Sequence, residues 1–288
     1  MGRLNRSLAA TRYVLGEDGS FTSSRRTESL TPEEPLEIRL DGRVITTTMR
    51  TPGHDLELAH GFLHSEGIIR GAEDIRAARY CAGATGPDGA NTYNVLDLTS
   101  VGAVLAPGLE HVRLTVTNSA CGVCGSTSIE SIMGKANRPI APAVLTPQQI
   151  LDFPQQLRER QVLFGKTGGI HGAAVFDSQG SMLVAREDIG RHNAVDKVIG
   201  YLLLKGGLGE PGSGQNMNVP GKTLVVSSRA SFELVQKAVL AGFSALVAVS
   251  APSSLAVDLA RQAGLTLIAF TRDNRFTLYA GHIAEHSR

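Results

Sequence analysis

Beyond Thr146, short apolar runs alternate with stretches of helical periodicity, and this alternation restricts the chain more than any other feature. A helical stretch at about 147–166 leads to a strand at 171–176, a turn at Asp177-Ser178-Gln179-Gly180, a return strand at 182–186 and a helix from about Arg191 to Lys205. Strand 223–227, helix 231–241, strand 245–249, helix 253–263 and strand 265–270 follow. Strands joined through amphipathic helices need right-handed crossovers, so they predict a largely parallel sheet covered on both faces. Residues 146–288 are therefore expected to form a three-layer α/β/α domain that opens with a β-hairpin. The glycine-rich stretch 205–222 reads as a loop within it.

The preceding part has a different character. Residues 1–33 are polar and lack periodicity, which predicts a loosely held N-terminal arm. Leu36, Ile38 and Leu40 alternate with Glu37 and Arg39, and Asp41-Gly42 supplies the turn that sends Arg43–Met49 back as a second strand. Thr51-Pro52 resembles a helix start, with Leu56, Ala59, Phe62 and Leu63 on one face and Gly67 as a stop. A turn-rich loop at 81–92, a strand at Tyr93–Leu98, and a half-buried strand carrying Val112, Leu114 and Val116 complete an α+β domain over 34–145. That last strand runs into Cys121-Gly-Val-Cys124-Gly125 and a helix expected at Thr127–Met133, and the PIAPAV segment at 139–144 marks the boundary.

Composition limits the partners. The 288 residues carry 28 Lys+Arg against 27 Asp+Glu, a net charge of +1, which disfavours nucleic acid and anionic membranes because both need a clustered positive excess. Three cysteines, Cys81, Cys121 and Cys124, make no disulfide framework. The first residues lack the apolar stretch of a signal peptide, and no run reaches the roughly 18–20 apolar residues of a membrane span. A soluble protein of a reducing, cytoplasmic compartment is expected.

Several segments carry chemistry. A strand-to-helix turn at Cys121 and Cys124 would favour thiolates, and a zinc half-site, a dithiol redox pair or a sulfur-carrying thiol all fit the spacing. Structural zinc needs four ligands, and the chain supplies one further cysteine, Cys81, so no structural metal is expected. Gly221-Lys222-Thr223 resembles the end of a phosphate-binding loop, but Asn216 stands where that motif needs glycine and a strand follows. The turn Arg186–Asn193, with His192 beside Arg191, lies where open α/β sheets bind ligands, though Asp188 or Asn193 could simply cap a helix there. Ser227-Ser228-Arg229-Ala230-Ser231 occupies the equivalent turn after the next strand. Phe270-Thr271-Arg272-Asp273-Asn274-Arg275-Phe276 follows the last strand, and its arginines and aromatics suit a nucleotide. Gly168-Gly169 reads as a helix C-cap before His171.

Together the segments CGVCG (121–125), FGKTGGIHGAAVFD (164–177), REDIGRHNAVDKVIG (186–200), SSRASFELVQKA (227–238) and FTRDNRFTLYAG (270–281) resemble the formate dehydrogenase accessory sulfurtransferase family, FdhD. The resemblance implies a sulfur carrier. It would accept persulfide sulfur from a cysteine desulfurase and pass it to bound Mo-bis(molybdopterin guanine dinucleotide) before that substrate enters formate dehydrogenase. It further implies Cys121 as the persulfide site with Cys124 as partner, and cofactor binding at Phe270, Thr271, Arg272, Asp273, Asn274 and Arg275; the hydroxyl- and guanidinium-bearing turns read above add Arg229, Ser228 and His192 as candidates. A homodimer would bring two nucleotide sites together. The family's second domain is similar to cytidine deaminases, but a deaminase needs a Cys pair and a His-x-Glu at its helix starts. Here those starts read RHNAVDK and SSRASFE. A thiol-disulfide oxidoreductase and a non-catalytic cofactor-binding chaperone are the alternatives.

Overall fold

The computed structural model describes residues 6–81, 93–102, 116–117, 129–208 and 221–284. Strands β1 (Arg6–Leu15) and β2 (Phe21–Leu30) form an antiparallel hairpin in unbroken register from Arg6↔Leu30 to Leu15↔Phe21. The arm expected over 1–33 is thus ordered strand from residue 6. Alternation failed to show it because both faces of the hairpin are exposed, so neither side of the ladder demands apolar residues. At its root Thr31 Oγ1 lies 2.8 Å from Thr167 Oγ1.

Strands β3 (Glu34–Leu40), β4 (Arg43–Arg50), β5 (Ile75–Tyr80), β6 (Val95–Ser100) and β7 (Val116–Thr117) make a five-stranded sheet in the order β5-β6-β3-β4-β7. Asp41 and Gly42 take the positive φ angles of the expected β3–β4 turn. Helix α1 (Asp55–Ser65) covers this sheet, and Leu36, Ile38, Leu58, Ala59, Leu63, Leu96 and Leu98 form a fully buried core. It starts three residues past Pro52. Thr51 is not free to cap it, because Thr51 N donates to Asp188 (3.1 Å) and its hydroxyl accepts from Ile189 N (3.1 Å).

Helix α2 (Ile129–Lys135) precedes α3 (Pro147–Arg160), which Thr146 and Gln149 start with a reciprocal capping box. A short α4 (Val162–Thr167) ends on Gly168 in the left-handed region, the expected C-cap. Strands β8 (His171–Phe176), β9 (Met182–Asp188), β10 (Thr223–Val226), β11 (Ala245–Ala248), β12 (Thr266–Arg272) and β13 (Arg275–Ala280) form the second sheet, ordered β13-β12-β11-β10-β8-β9. Helices α5 (Arg191–Leu204), α6 (Phe232–Leu240) and α7 (Ser254–Ala263) alternate with its strands. Successive side chains of each strand point to opposite faces. Val175, Leu224, Val226, Leu246, Ala248 and Leu267 therefore pack with α5, α6 and α7. Phe176, Val225, Val247 and Ile268 pack with Ile150, Phe153 and Leu157 of α3. The three-layer expectation holds.

The expectation of a largely parallel sheet does not. Among the described residues of this sheet, β10–β11 and β11–β12 pair in parallel, while β8–β9, β8–β10 and β12–β13 are antiparallel. Tight turns at Asp177–Gly180 and Asp273–Asn274 reverse the chain within the sheet, and β13 occupies residues read from sequence as part of a charged turn. Because β9 and β10 both run opposite to β8, the carboxyl ends of β9, β10, β11 and β12 share one edge with the start of β8. No helix among the described residues is long and apolar enough to cross a membrane.

The two sheets are joined through α1 and α5. A Cβ on Gly61 would overlap Asp196 O, and one on Gly200 would overlap Glu57 O, so only glycine permits this approach. Beside the contact, Lys237 donates to both oxygens of Asp196 (2.8 and 2.9 Å), and Ser65 Oγ donates to Oδ1 (2.9 Å).

Candidate functional site

An open cleft of about 780 Å3 lies at the carboxyl edge of the second sheet. Leu157 and Arg158 of α3, Phe164 of α4 and Gln161 between the two helices form one wall, Gly168–His171 lead into β8, and Ser227, Val249 and Thr271–Asp273 close the sheet side. Its size falls within the range of small-molecule sites, and its place is where ligands enter open α/β sheets. Arg158 stacks on the Phe164 ring at 3.6 Å. Glu187 fixes this wall, accepting from Leu163 N (2.9 Å) and Phe164 N (2.8 Å) at the start of α4.

The segment 270–275 meets the cleft through a backbone irregularity. Phe270 has φ of 52°, in the left-handed region that costs an aromatic residue about 1–3 kcal/mol, and the β12–β13 register shifts there. The kink leaves Phe270 40% exposed and Thr271 fully buried. Of the six residues singled out in this segment, Thr271, Arg272 and Asp273 line the cleft. Phe270, Asn274 and Arg275 do not, and Arg275 instead pairs with Arg272 at the start of β13.

The turn after β10 contributes a different serine from the one expected. Ser228 Oγ donates to Arg229 O (3.1 Å), and neither residue lines the cleft. Ser227 does, its hydroxyl accepting from Gly172 N at 2.9 Å. Gln161 was also missed. At the α3–α4 junction its only sequence signal is a polar residue between two helical stretches, whereas in the fold it is 6% exposed and leans on Gly172, where a Cβ would meet its carboxamide at 2.7 Å.

Most of Arg186–Gly200 holds the two sheets together. Arg186 makes a bidentate pair with Glu57 (2.6 and 2.8 Å). Although burial raises the Glu57 carboxyl, the Arg186 and His54 contacts outweigh it and hold it at about 2. Asp188 accepts from Thr51 N, from Gly190 N (2.9 Å) and from Asn193 Nδ2 (3.1 Å), while Asn193 also donates to Met49 O (2.8 Å). Neither Asp188 nor Asn193 caps α5, which starts from Gly190 without a side-chain cap; Asp188 is instead one strand of an inter-sheet web. Thr48, which pairs with Thr117 of β7, donates to Asn193 Oδ1 at 3.3 Å.

His192 stands apart from that web. Its Nε2 is 3.7 Å from Glu233 Oε2, too long for a hydrogen bond, and the nearby imidazole lowers the Glu233 carboxyl below its usual range. His192 does not line the cleft. His171 does, and burial, with Arg191 and His192 nearby, holds its pKa below the usual histidine value. Cys121 and Cys124 lie outside the described residues. Among the described residues, no three of His, Cys, Asp or Glu come together as a metal site.

A three-layer α/β/α domain with an open cleft at the carboxyl edge of its strands places this protein among the α/β folds in which that edge is the usual ligand position. Known proteins narrow that class. Residues 31–284 match the FdhD/NarQ family, and the chain belongs to it. It is 51% identical over 286 residues to the sulfur carrier protein FdhD of Corynebacterium efficiens, covering 98% of this chain and 100% of that one. The sulfur carrier protein FdhD of Streptomyces coelicolor is 46% identical over 286 residues, covering 98% and 95%. The crystal structure of a formate dehydrogenase accessory protein from Desulfotalea psychrophila superposes with a TM-score of 0.67 at 25% identity, covering 96% of this chain and 97% of that one. The family resemblance carried by the five sequence segments is thereby established.

Proposed function

We propose that this protein is a sulfur carrier serving formate dehydrogenase, the role named in its relatives. Cys121, as thiolate, attacks the terminal sulfur of a cysteine desulfurase persulfide. The donor S–S bond breaks, the donor leaves as thiolate, and Cys121 carries the persulfide. Attack by Cys124 thiolate on Cys121 Sγ then expels hydrosulfide toward the molybdenum of the bound substrate, Mo-bis(molybdopterin guanine dinucleotide). A Cys121–Cys124 disulfide remains, which a thiol reductant of the compartment reopens.

The observation that carries the binding half of this reading is the cleft. Thr271, Arg272 and Asp273, from the segment matching the family motif, line it together with His171 and Arg158. Exposed Arg272 suits a pyrophosphate, and the apolar wall of Leu151, Pro154, Leu157 and Phe164 suits the flat face of a base. The substrate carries two guanine nucleotides and each copy of the chain offers this cleft, so the working unit is a homodimer. Incubation with a desulfurase and cysteine, alkylation of the persulfide and mass spectrometry test the sulfur step. The added sulfur is expected on Cys121, and a modified mass on neither Cys121 nor Cys124 would end the proposal.

A further inference from the structure

Two polar groups in the cleft are buried without hydrogen bonds. Thr271 is 0% exposed and Gln161 is 6% exposed, and among the described residues neither Thr271 Oγ1 nor Gln161 Nε2 has a partner. Such atoms are rare in native proteins because each forfeits its hydration, at a cost of about 1–3 kcal/mol. Both belong to the lining of the same cleft. The surroundings spend further structure on keeping them there. Phe270 takes its left-handed conformation next to Thr271, and Gly172 leaves the space that the Gln161 carboxamide fills.

We infer that Gln161 and Thr271 are the base-reading pair of the cleft, donating hydrogen bonds to the two neighbouring acceptors on the edge of a 6-oxopurine such as guanine. The inference rests on the nucleotide reading given above and extends it to a residue, Gln161, outside the segments that suggested it. Neutral, desolvated groups do not suit a phosphate, which belongs with the charged side chains. Arg272 and Asp273 are exposed, so charge sits at the mouth and hydrogen-bonding specificity inside. Guanine offers O6 and N7 as adjacent acceptors, whereas adenine sets a donor beside N7. A site built around buried donors discriminates strongly, because the wrong base leaves them unpaired.

A group kept for a ligand and a group kept for the fold respond oppositely to removal. Thr271→Val and Gln161→Leu take away a buried, unpaired polar atom while preserving shape, so the free protein should melt at the same temperature or higher. The same substitutions should weaken GDP binding by about tenfold or more, measured by calorimetry on the full-length protein, and narrow the preference for GDP over ADP. Gln161→Glu, with an acceptor in place of the donor, should weaken GDP more than Gln161→Leu does. Unchanged GDP affinity in Thr271→Val and Gln161→Leu, or a lowered melting temperature with affinity retained, overturns the inference and leaves the cleft as a nucleotide site. Absence of GDP binding by the unaltered protein overturns the nucleotide reading and this inference with it.

Discussion

Lys197 Nζ lies 2.7 Å from Asp188 Oδ2, with both side chains withdrawn from water. The pair is tied across the molecule, since Lys197 also donates to Thr51 O (2.9 Å) and Asp188 accepts from Thr51 N (3.1 Å). The end of β9, the helix α5 and the chain leaving β4 are thus fastened at one point. That point also fixes the first turn of α5, on which His192 stands.

Removing one partner strands the other charge in the interior. Lys197→Met should cost about 3–5 kcal/mol of unfolding free energy, measured by urea denaturation. A loss below about 1 kcal/mol would mean that Asp188 is satisfied by its N–H donors alone.

Gly61→Ala and Gly200→Ala give a test of sign. Helix propensity alone predicts that alanine stabilises either position by about 1 kcal/mol. The α1–α5 contact predicts the reverse, because the new Cβ would overlap Asp196 O or Glu57 O and push the helices apart. Lower melting temperatures for both variants are expected, and a rise in either contradicts the observed approach.

Stability should fall on mild acidification. Burial, followed by the nearby Arg138 and Lys237 charges, pushes the His64 pKa down from 6.5 to about 4. Below pH 6.5 the unfolded chain takes up a proton that the folded chain refuses, so stability is lost as pH falls from 6.5 toward 4, by roughly 3 kcal/mol at the lower end. Burial shifts His60 and His171 the same way and adds to the slope. Urea midpoints for His64→Leu should vary less with pH between 6.5 and 4 than those of the unaltered protein.

The two arginines of the 270–275 segment should differ. Arg272 lines the cleft and Arg275 does not. Arg272→Ala is expected to weaken GDP binding by about tenfold, in line with the loss of a charged hydrogen bond, while Arg275→Ala stays within about twofold. Equal losses in isothermal titration would place the phosphates elsewhere.

Sequence alone determined the local elements wherever one face of a strand or helix had to be apolar. The β3–β4 hairpin, β8–β9 and the alternating strands and helices from β10 to β12 follow from periodicity, because burial on one side writes itself into every second or every third and fourth residue. The five family segments were legible for a different reason, since a motif is a local run of residues that can be read without knowing what it packs against. Periodicity could not reveal the β1–β2 hairpin, exposed on both faces, or β13, whose start at Arg275-Phe276 reads as a solvated turn. Nor could it say what the polar residues of Arg186–Asn193 do, since their partners Met49, Thr51 and Glu57 lie more than 120 positions away along the chain. Tertiary structure decided that Asp188, Asn193 and Lys197 join the two sheets, that Ser227 and not Ser228 lines the cleft, and that Gln161 Nε2 and Thr271 Oγ1 find no hydrogen-bond partner among the described residues. A hydrogen bond depends on where two distant segments meet, and that is fixed only when the sheets and helices have packed.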